Sequence, residues 1–352
     1  MHKFIMLTGF FIWAVSSHVS AQTAQDGVEL ARDGKFQEAI AVWEEIGDAI
    51  SFRNIGGVYL SGVLGSNDLE AAREYLERAA DMGDAQAMLS LGYVYLNGAG
   101  TPPDPSKAKS WFMRASNLGS PEAKYMVSKM ILDGSVSEAD NFHALELLQA
   151  SADAGFPKAL VRVGDLLRSG TYTKRDVNRA LSYYRAAADS GLAEALNTIG
   201  DIYLFAELGE ADIEKALSYY SKASENGVKA AMYSMAFLLY SDPDSDQNAL
   251  MRAYNLAKTA ALSWDEQAQY LLGRMYIEER YTARNAEEAF FWLDLAASAG
   301  VFEAHHLRAL VETELGPDLA KTVHTRARMW FEKNHSTPHN HRLITNNQHS
   351  FR

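Results

Sequence analysis

The chain has 352 residues, no cysteine and a formal charge of −12. Without thiols there is no disulfide framework, no thiolate nucleophile and no Cys-ligated zinc, and so acidic a chain repels a polyphosphate backbone, which argues against nucleic-acid binding. With 47% hydrophobic residues and only 8 prolines, the composition excludes a disordered chain and favours a helix-rich one.

Residues 1–21, MHKFIMLTGFFIWAVSSHVSA, place Lys3 before an apolar run from Phe4 to Val15 and close on Val19-Ser20-Ala21. That is the layout of a secretory signal peptide cleaved after Ala21. The run falls short of the roughly 18–20 apolar residues of a spanning helix; an uncleaved anchor is the alternative. The mature chain is therefore expected to have no integral membrane span and to act beyond the inner membrane, in the periplasm of a Gram-negative cell or, alternatively, outside it. Residues 22–48 read as an N-terminal capping helical hairpin that turns at Gly34 and packs Trp43 onto the next pair of helices.

From residue 49 to 301 the chain repeats itself seven times. ALSYY occurs at Ala180 and again at Ala216, 36 positions on. A small residue recurs at Gly56, Gly92, Ser128, Gly164, Gly200, Ala236 and Gly273, and a closing residue at Gly83, Gly119, Gly155, Gly191, Gly227, Trp264 and Gly300. The small residue follows an apolar position (Ile55, Leu91, Val127, Val163, Ile199, Met235, Leu272) that has an apolar partner four residues later, as one face of a helix requires.

A second helix opens at Asp68, Asp104, Asp140, Asp176, Asp212, Asn248 and Asn285, side chains suited to accept from an orphan N–H of the first turn. Within it come Ala72, Ala108, Ala144, Ala180, Ala216, Ala253 and Ala289, each with a large residue three further on: Tyr75, Trp111, Leu147, Tyr183, Tyr219, Leu256 and Trp292. This stripe is expected to pack between the two helices. At Trp264, where the other repeats close on glycine, a bulky side chain in a left-handed turn would be strained. Residues 302–334 read as a C-terminal capping hairpin around Gly316-Pro317, and 335–352 as a flexible His-rich tail.

A lone helical hairpin cannot cover its apolar face, whereas stacked hairpins share a continuous core. In AQAMLSLGYVYLNGAGTPPDPSKAKSWFMRASNLG, from Ala85 to Gly119, the order Ala-x-Ala, Leu-Gly-x-x-Tyr, Asp, Lys-Ala, Trp-Phe and Gly resembles the Sel-one-like repeat, a relative of the tetratricopeptide repeat. The resemblance covers about Asp48 to Gly300 and implies an all-α fold, a right-handed α-solenoid of helix-turn-helix repeats. The segment from Asp26 to Ala49 resembles an ordinary tetratricopeptide hairpin.

Three patterns suggest chemistry, and each lacks its partners. His305-His306 with His335, His339 and His341 could ligate a metal, but a site needs fixed geometry. Glu303 and His306 have a di-iron spacing without a second copy on another helix. Ser106 and Lys109 have the spacing of a penicillin-recognising nucleophile, but Ser-Asp-Asn and Lys-Thr-Gly are missing. The chain is therefore read as a non-enzyme with no cofactor and no metal.

What remains is surface. The resemblance implies that partner-facing side chains flank the core positions of the first helices, along a concave wall. One such row is Arg53, Leu89, Tyr125, Val161, Asn197, Tyr233, Tyr270 and His306; the other is Gly57, Tyr93, Lys129, Asp165, Asp201, Phe237, Arg274 and Leu310. Tyrosine and arginine dominate interface energies, so Tyr93, Tyr125, Tyr233, Phe237, Tyr270 and Arg274 are the expected anchors. Lys129, Asp165 and Asp201 would set polarity. The expected function is an exported scaffold that binds a protein or peptide in the cell envelope; a glycan- or peptidoglycan-binding module, or a cell-wall or β-lactam hydrolase, is the alternative.

Overall fold

Why each second helix sits where it does is clearest at Gly92. A methyl there would come within 2.3 Å of the Phe112 ring, so the glycine is the socket into which the second helix seats its ring. In the computed structural model, which describes residues 23–65, 68–136 and 141–335, this lock recurs: Gly56 receives Leu76, Gly164 receives Tyr184, Gly200 receives Tyr220 and Gly273 receives Leu293. The locking residue lies four places after the repeat alanine, one place beyond the expected stripe. The expected stripe packs beside this lock, and its Trp292 is itself buried. Phe112, Tyr184 and Tyr220 are wholly buried, whereas Tyr75, Trp111, Leu147, Tyr183 and Tyr219 are only half-buried. Two of these flanking rings stack on the first helix of their own repeat: Tyr75 on Tyr59 and Tyr219 on Tyr203, with centroids 5.9 and 5.7 Å apart.

The described residues fall into two units, divided after Ala154, with helices and no strand. The first holds α1 (Ala24–Arg32), α2 (Phe36–Ile46), α3 (Ala49–Ser61), α4 (Leu69–Asp81), α5 (Ala85–Asn97), α6 (Pro105–Asn117), α7 (Pro121–Leu132) and α8 (Asn141–Asp153). Consecutive helices pair, and each pair leans on the next through a core running from Ala39 to Ala144. Trp43 does not act on the following repeat alone. Its ring fills the space beside Gly27 in its own hairpin, and its Nε1 donates to the Ala24 carbonyl at 2.9 Å.

The second unit holds α9 (Pro157–Ser169), α10 (Val177–Asp189), α11 (Glu194–Leu204), α12 (Ile213–Glu225), α13 (Lys229–Ser241), α14 (Gln247–Leu262), α15 (Glu266–Glu278), α16 (Ala286–Ser298), α17 (Phe302–Leu315) and α18 (Pro317–His335). Its helices pair in the same manner, and α18 folds back to pack against α16 as well as α17. In α13 and α14 the lock is rebuilt with two small residues: Ala236 stands in the glycine position and Ala257 in the ring position, both wholly buried.

Caps set the helix ends. Asp68, Asp104, Asp176, Asp212 and Asn285 each accept from the backbone N–H three residues on, at 2.9 to 3.0 Å, a contact typically worth about 1 kcal/mol. Asn248 is not a cap; Asp246 takes that role, accepting from Ala249 N at 2.7 Å, and the helix it starts runs 16 residues where its counterparts run 13. At the other end Gly83 and its counterparts adopt positive φ, closing the turn with paired bonds such as Gly83 N–H to Ala80 O and Asp84 N–H to Ala79 O.

Trp264 makes the same turn at φ 70° with the same two bonds. Its indole lies 4.6 Å from Trp330 and 5.5 Å from Phe331, centroid to centroid, so aromatic packing from α18 offsets a backbone state that ordinarily costs about 1–2 kcal/mol. The expected leader at 1–21, the cap at Asp140 and the tail from 336 onward, with His339 and His341, lie outside the described residues. No helix among those described is long and apolar enough to cross a membrane.

Candidate functional site

The expected rows lie on the first helices, and the two units hold their side chains differently. In the first unit Tyr93 is half-buried: its ring stands edge-on to Phe112 at 5.2 Å, and its hydroxyl donates to Glu122 Oε1 on α7 at 2.8 Å. Burial first, then that bond, pushes the phenol pKa up. Tyr93 thus ties one repeat to the next. Tyr125 is also half-buried, and Lys129 is exposed with its Nζ 2.7 Å from Asp133. Leu89, placed in the outer row by spacing, is buried in the core.

In the second unit Asp165 and Asp201 are occupied from within. Each accepts from the hydroxyl of the locking tyrosine of its own repeat, Tyr184 at 2.8 Å and Tyr220 at 2.7 Å. Burial raises the Asp201 pKa and pushes both phenols up. These carboxylates therefore satisfy a buried hydroxyl that would otherwise be costly. Next to them Glu207 binds Arg168 Nε at 2.8 Å and Arg175 Nη2 at 3.0 Å, and these bonds hold its carboxyl below the usual range despite burial.

The remaining four candidates converge. Tyr233 and Phe237 stand one turn apart on α13, rings 6.0 Å apart, and Phe237 is 39% exposed. On α15, which packs beside α13, the Arg274 guanidinium lies 5.9 Å from the Tyr270 ring centroid and 2.8 Å from Glu278. Burial raises the Tyr233 pKa, with Asp265, Arg274, Tyr270 and Glu303 in electrostatic range. This patch couples an exposed ring to a cation held in place by its neighbours. It can bury an apolar group and pair with a carboxylate, and it holds no nucleophile beside a base.

The sequence reading missed one constellation. Asp294 of α16, 1% exposed, lies 2.9 Å from Arg308 Nη1 on α17 and 2.7 Å from His324 Nδ1 on α18. A lone acid inside an apolar run, LDLAAS, was the available signal. It anchors the terminal hairpin; no hydroxyl is bonded to the far nitrogen of His324 among the described residues. Ser106 is exposed at the start of α6, and His305 and His306 are exposed on α17. No group of three or more His, Asp or Glu among the described residues could hold a metal.

Comparison with known proteins adds family evidence to this geometry. The family model described as Sel1 repeat matches residues 53–84, 85–120, 121–156, 157–192, 193–228 and 266–301. It passes over the α13–α14 hairpin, where Ala236, Asp246 and Trp264 depart from the common pattern. No curated protein matches the chain. Among solved structures, a Sel1 repeat protein from Oxalobacter formigenes is similar over 68% of this chain and 100% of its own, with 27% identity and a TM-score of 0.60. A protective antigen with an SLR fold, present in uropathogenic Escherichia coli strains, covers 89% of this chain and 77% of its own, with 19% identity and a TM-score of 0.60.

Proposed function

The chain belongs to the Sel1 repeat family, and from that premise we propose that it is an exported interaction scaffold that binds a protein or extended peptide along its first-helix faces. The observation that carries this reading is the patch of Tyr233, Phe237, Tyr270 and Arg274 on α13 and α15, where aromatic surface stays open beside a fixed cation. Rigid paired helices hold these side chains before a partner arrives, so little ordering cost falls on this side of the complex. Tyr93, Asp165 and Asp201 serve the scaffold itself. Export rests on the leader-like residues 1–21, and the site of action is the periplasm.

Affinity capture from envelope extracts tests the patch: wild type retains a partner that the Tyr233→Ala/Tyr270→Ala variant loses by at least tenfold, and equal recovery refutes it. Cell fractionation with N-terminal sequencing tests export. A periplasmic chain beginning at Gln22 is the expected result; a cytoplasmic chain beginning at Met1 overturns it.

A further inference from the structure

Two adjacent glycines of α3 have opposite surroundings. A methyl at Gly56 would meet Leu76 Cγ at 2.7 Å, whereas a methyl at Gly57 would meet nothing within 4 Å. Packing therefore explains Gly56 and leaves Gly57 unexplained, an exposed glycine in mid-helix where any other residue would stiffen the helix. In the following repeats the same position carries Tyr93, Lys129, Asp165, Asp201, Phe237 and Arg274. Only in the first does the row drop to a hydrogen atom.

The space this leaves is a cavity of about 390 Å³, open to solvent and floored by Val28, Trp43, Val58 and Leu76. That is within the roughly 300–1,000 Å³ of ligand pockets, with room for one large side chain and the backbone carrying it. Arg53, one turn before Gly57 on the same face, is the one formally charged residue in its lining. Its Nη1 is fixed 2.9 Å from Asp84 Oδ2, itself largely buried, while the arginine side chain stays 31% exposed. The guanidinium is planar and rigid and carries five N–H donors, so those not taken by Asp84 keep a fixed geometry.

We propose that this cavity is a receptor for an apolar side chain of a partner polypeptide, leucine- or phenylalanine-sized, flanked by a carboxylate that pairs with Arg53. The apolar part of the lining gives the inserted side chain its contacts beside the uncharged polar Asn54, Ser61 and Ser90, and the Arg53 donors left free by Asp84 select the sign of its neighbour. The site lies wholly within the first unit and uses none of Tyr233, Phe237, Tyr270 or Arg274. It rests on the scaffold reading proposed above and adds a second contact to it, and its failure leaves the capture experiment on that patch standing.

Fluorescence anisotropy on the full chain tests it, with fluorescein-labelled peptides capped at both ends and centred on Asp-Leu-Glu or Asp-Phe-Glu, against Lys-Leu-Lys and Asp-Gly-Glu controls. At least one acidic apolar probe should bind saturably, and both controls at least tenfold more weakly. Gly57→Leu, which fills the cavity, should weaken that probe at least tenfold with no fall in the urea midpoint. Arg53→Gln should abolish the preference for acidic over lysine flanks while the leucine-over-glycine preference persists. Absence of saturation with both acidic probes, equal binding of the lysine control, or undiminished binding by a folded Gly57→Leu protein overturns the proposal. Should Gly57→Leu unfold, Gly57→Val takes its place under the same criterion.

Discussion

The lock between the paired helices can be tested by rebuilding one repeat in the image of another. In Gly92→Ala the new methyl would lie 2.3, 2.5 and 2.7 Å from three atoms of the Phe112 ring, which is wholly buried and has nowhere to retreat. Overpacking of this kind costs about 1–3 kcal/mol; replacing a mid-helix glycine by alanine returns up to about 1 kcal/mol, leaving a net loss of about 1. Phe112→Ala alone empties the socket and should lose about 3–5 kcal/mol. The double variant reproduces the Ala236–Ala257 arrangement: the clash is gone and the methyl occupies part of the emptied space. It should be no less stable than Phe112→Ala, because the coupling between the two sites equals the relieved clash, about 1–3 kcal/mol. Urea unfolding of the four proteins followed by circular dichroism, compared at a shared slope, measures this cycle. Losses that simply add, within about 0.5 kcal/mol, refute the lock.

Gly56→Ala and Gly57→Ala should move stability in opposite directions, the first losing about 1–2 kcal/mol against Leu76 and the second gaining about 0.5–1; shifts of equal sign in the urea midpoint refute the distinction. Tyr75, whose hydroxyl bonds to Glu44, has its pKa pushed up to about 12. A raised folded-state value means stability that is present below the ordinary value of about 10 and lost as pH climbs from there through 12. Glu44→Gln should return one tyrosine toward 10 in an ultraviolet titration and flatten that loss; an unchanged titration counts against the bond. Asp294→Ala removes the partner of Arg308 and His324. Breaking a buried pair costs about 3–5 kcal/mol, reduced here to about 1–3 because both partners are more than a third exposed. Hydrogen exchange should quicken across α18 and not across α3 to α5; protection retained in α18 refutes the anchor.

The rows flanking the first-helix core put Tyr233 with Phe237 on one face of α13 and Tyr270 with Arg274 on one face of α15 from the sequence, because spacing of three and four fixes which side chains share a helix face. Spacing could not say that Tyr93 would spend its hydroxyl on Glu122, or that Asp165 and Asp201 would answer Tyr184 and Tyr220. Those bonds join residues 19 or 29 positions apart, and no local rule reaches that far. Asn248 misled for a related reason: Asp246 stands two positions before it, and two candidate caps so close look alike until the backbone chooses.

By itself, then, the chain of residues determined the helix pairs, their period and most of their ends, since caps, turns and apolar faces are set within a turn or two of backbone. The tertiary structure alone decided how each second helix is rotated about its own axis. Where Trp111 stands beside Phe112, Tyr183 beside Tyr184 and Tyr219 beside Tyr220, two adjacent large side chains compete for one socket about 100° apart. Local pattern rates them equally. Only the facing helix, by placing a glycine where one ring must enter, settles which is buried and which is left half-buried beside it.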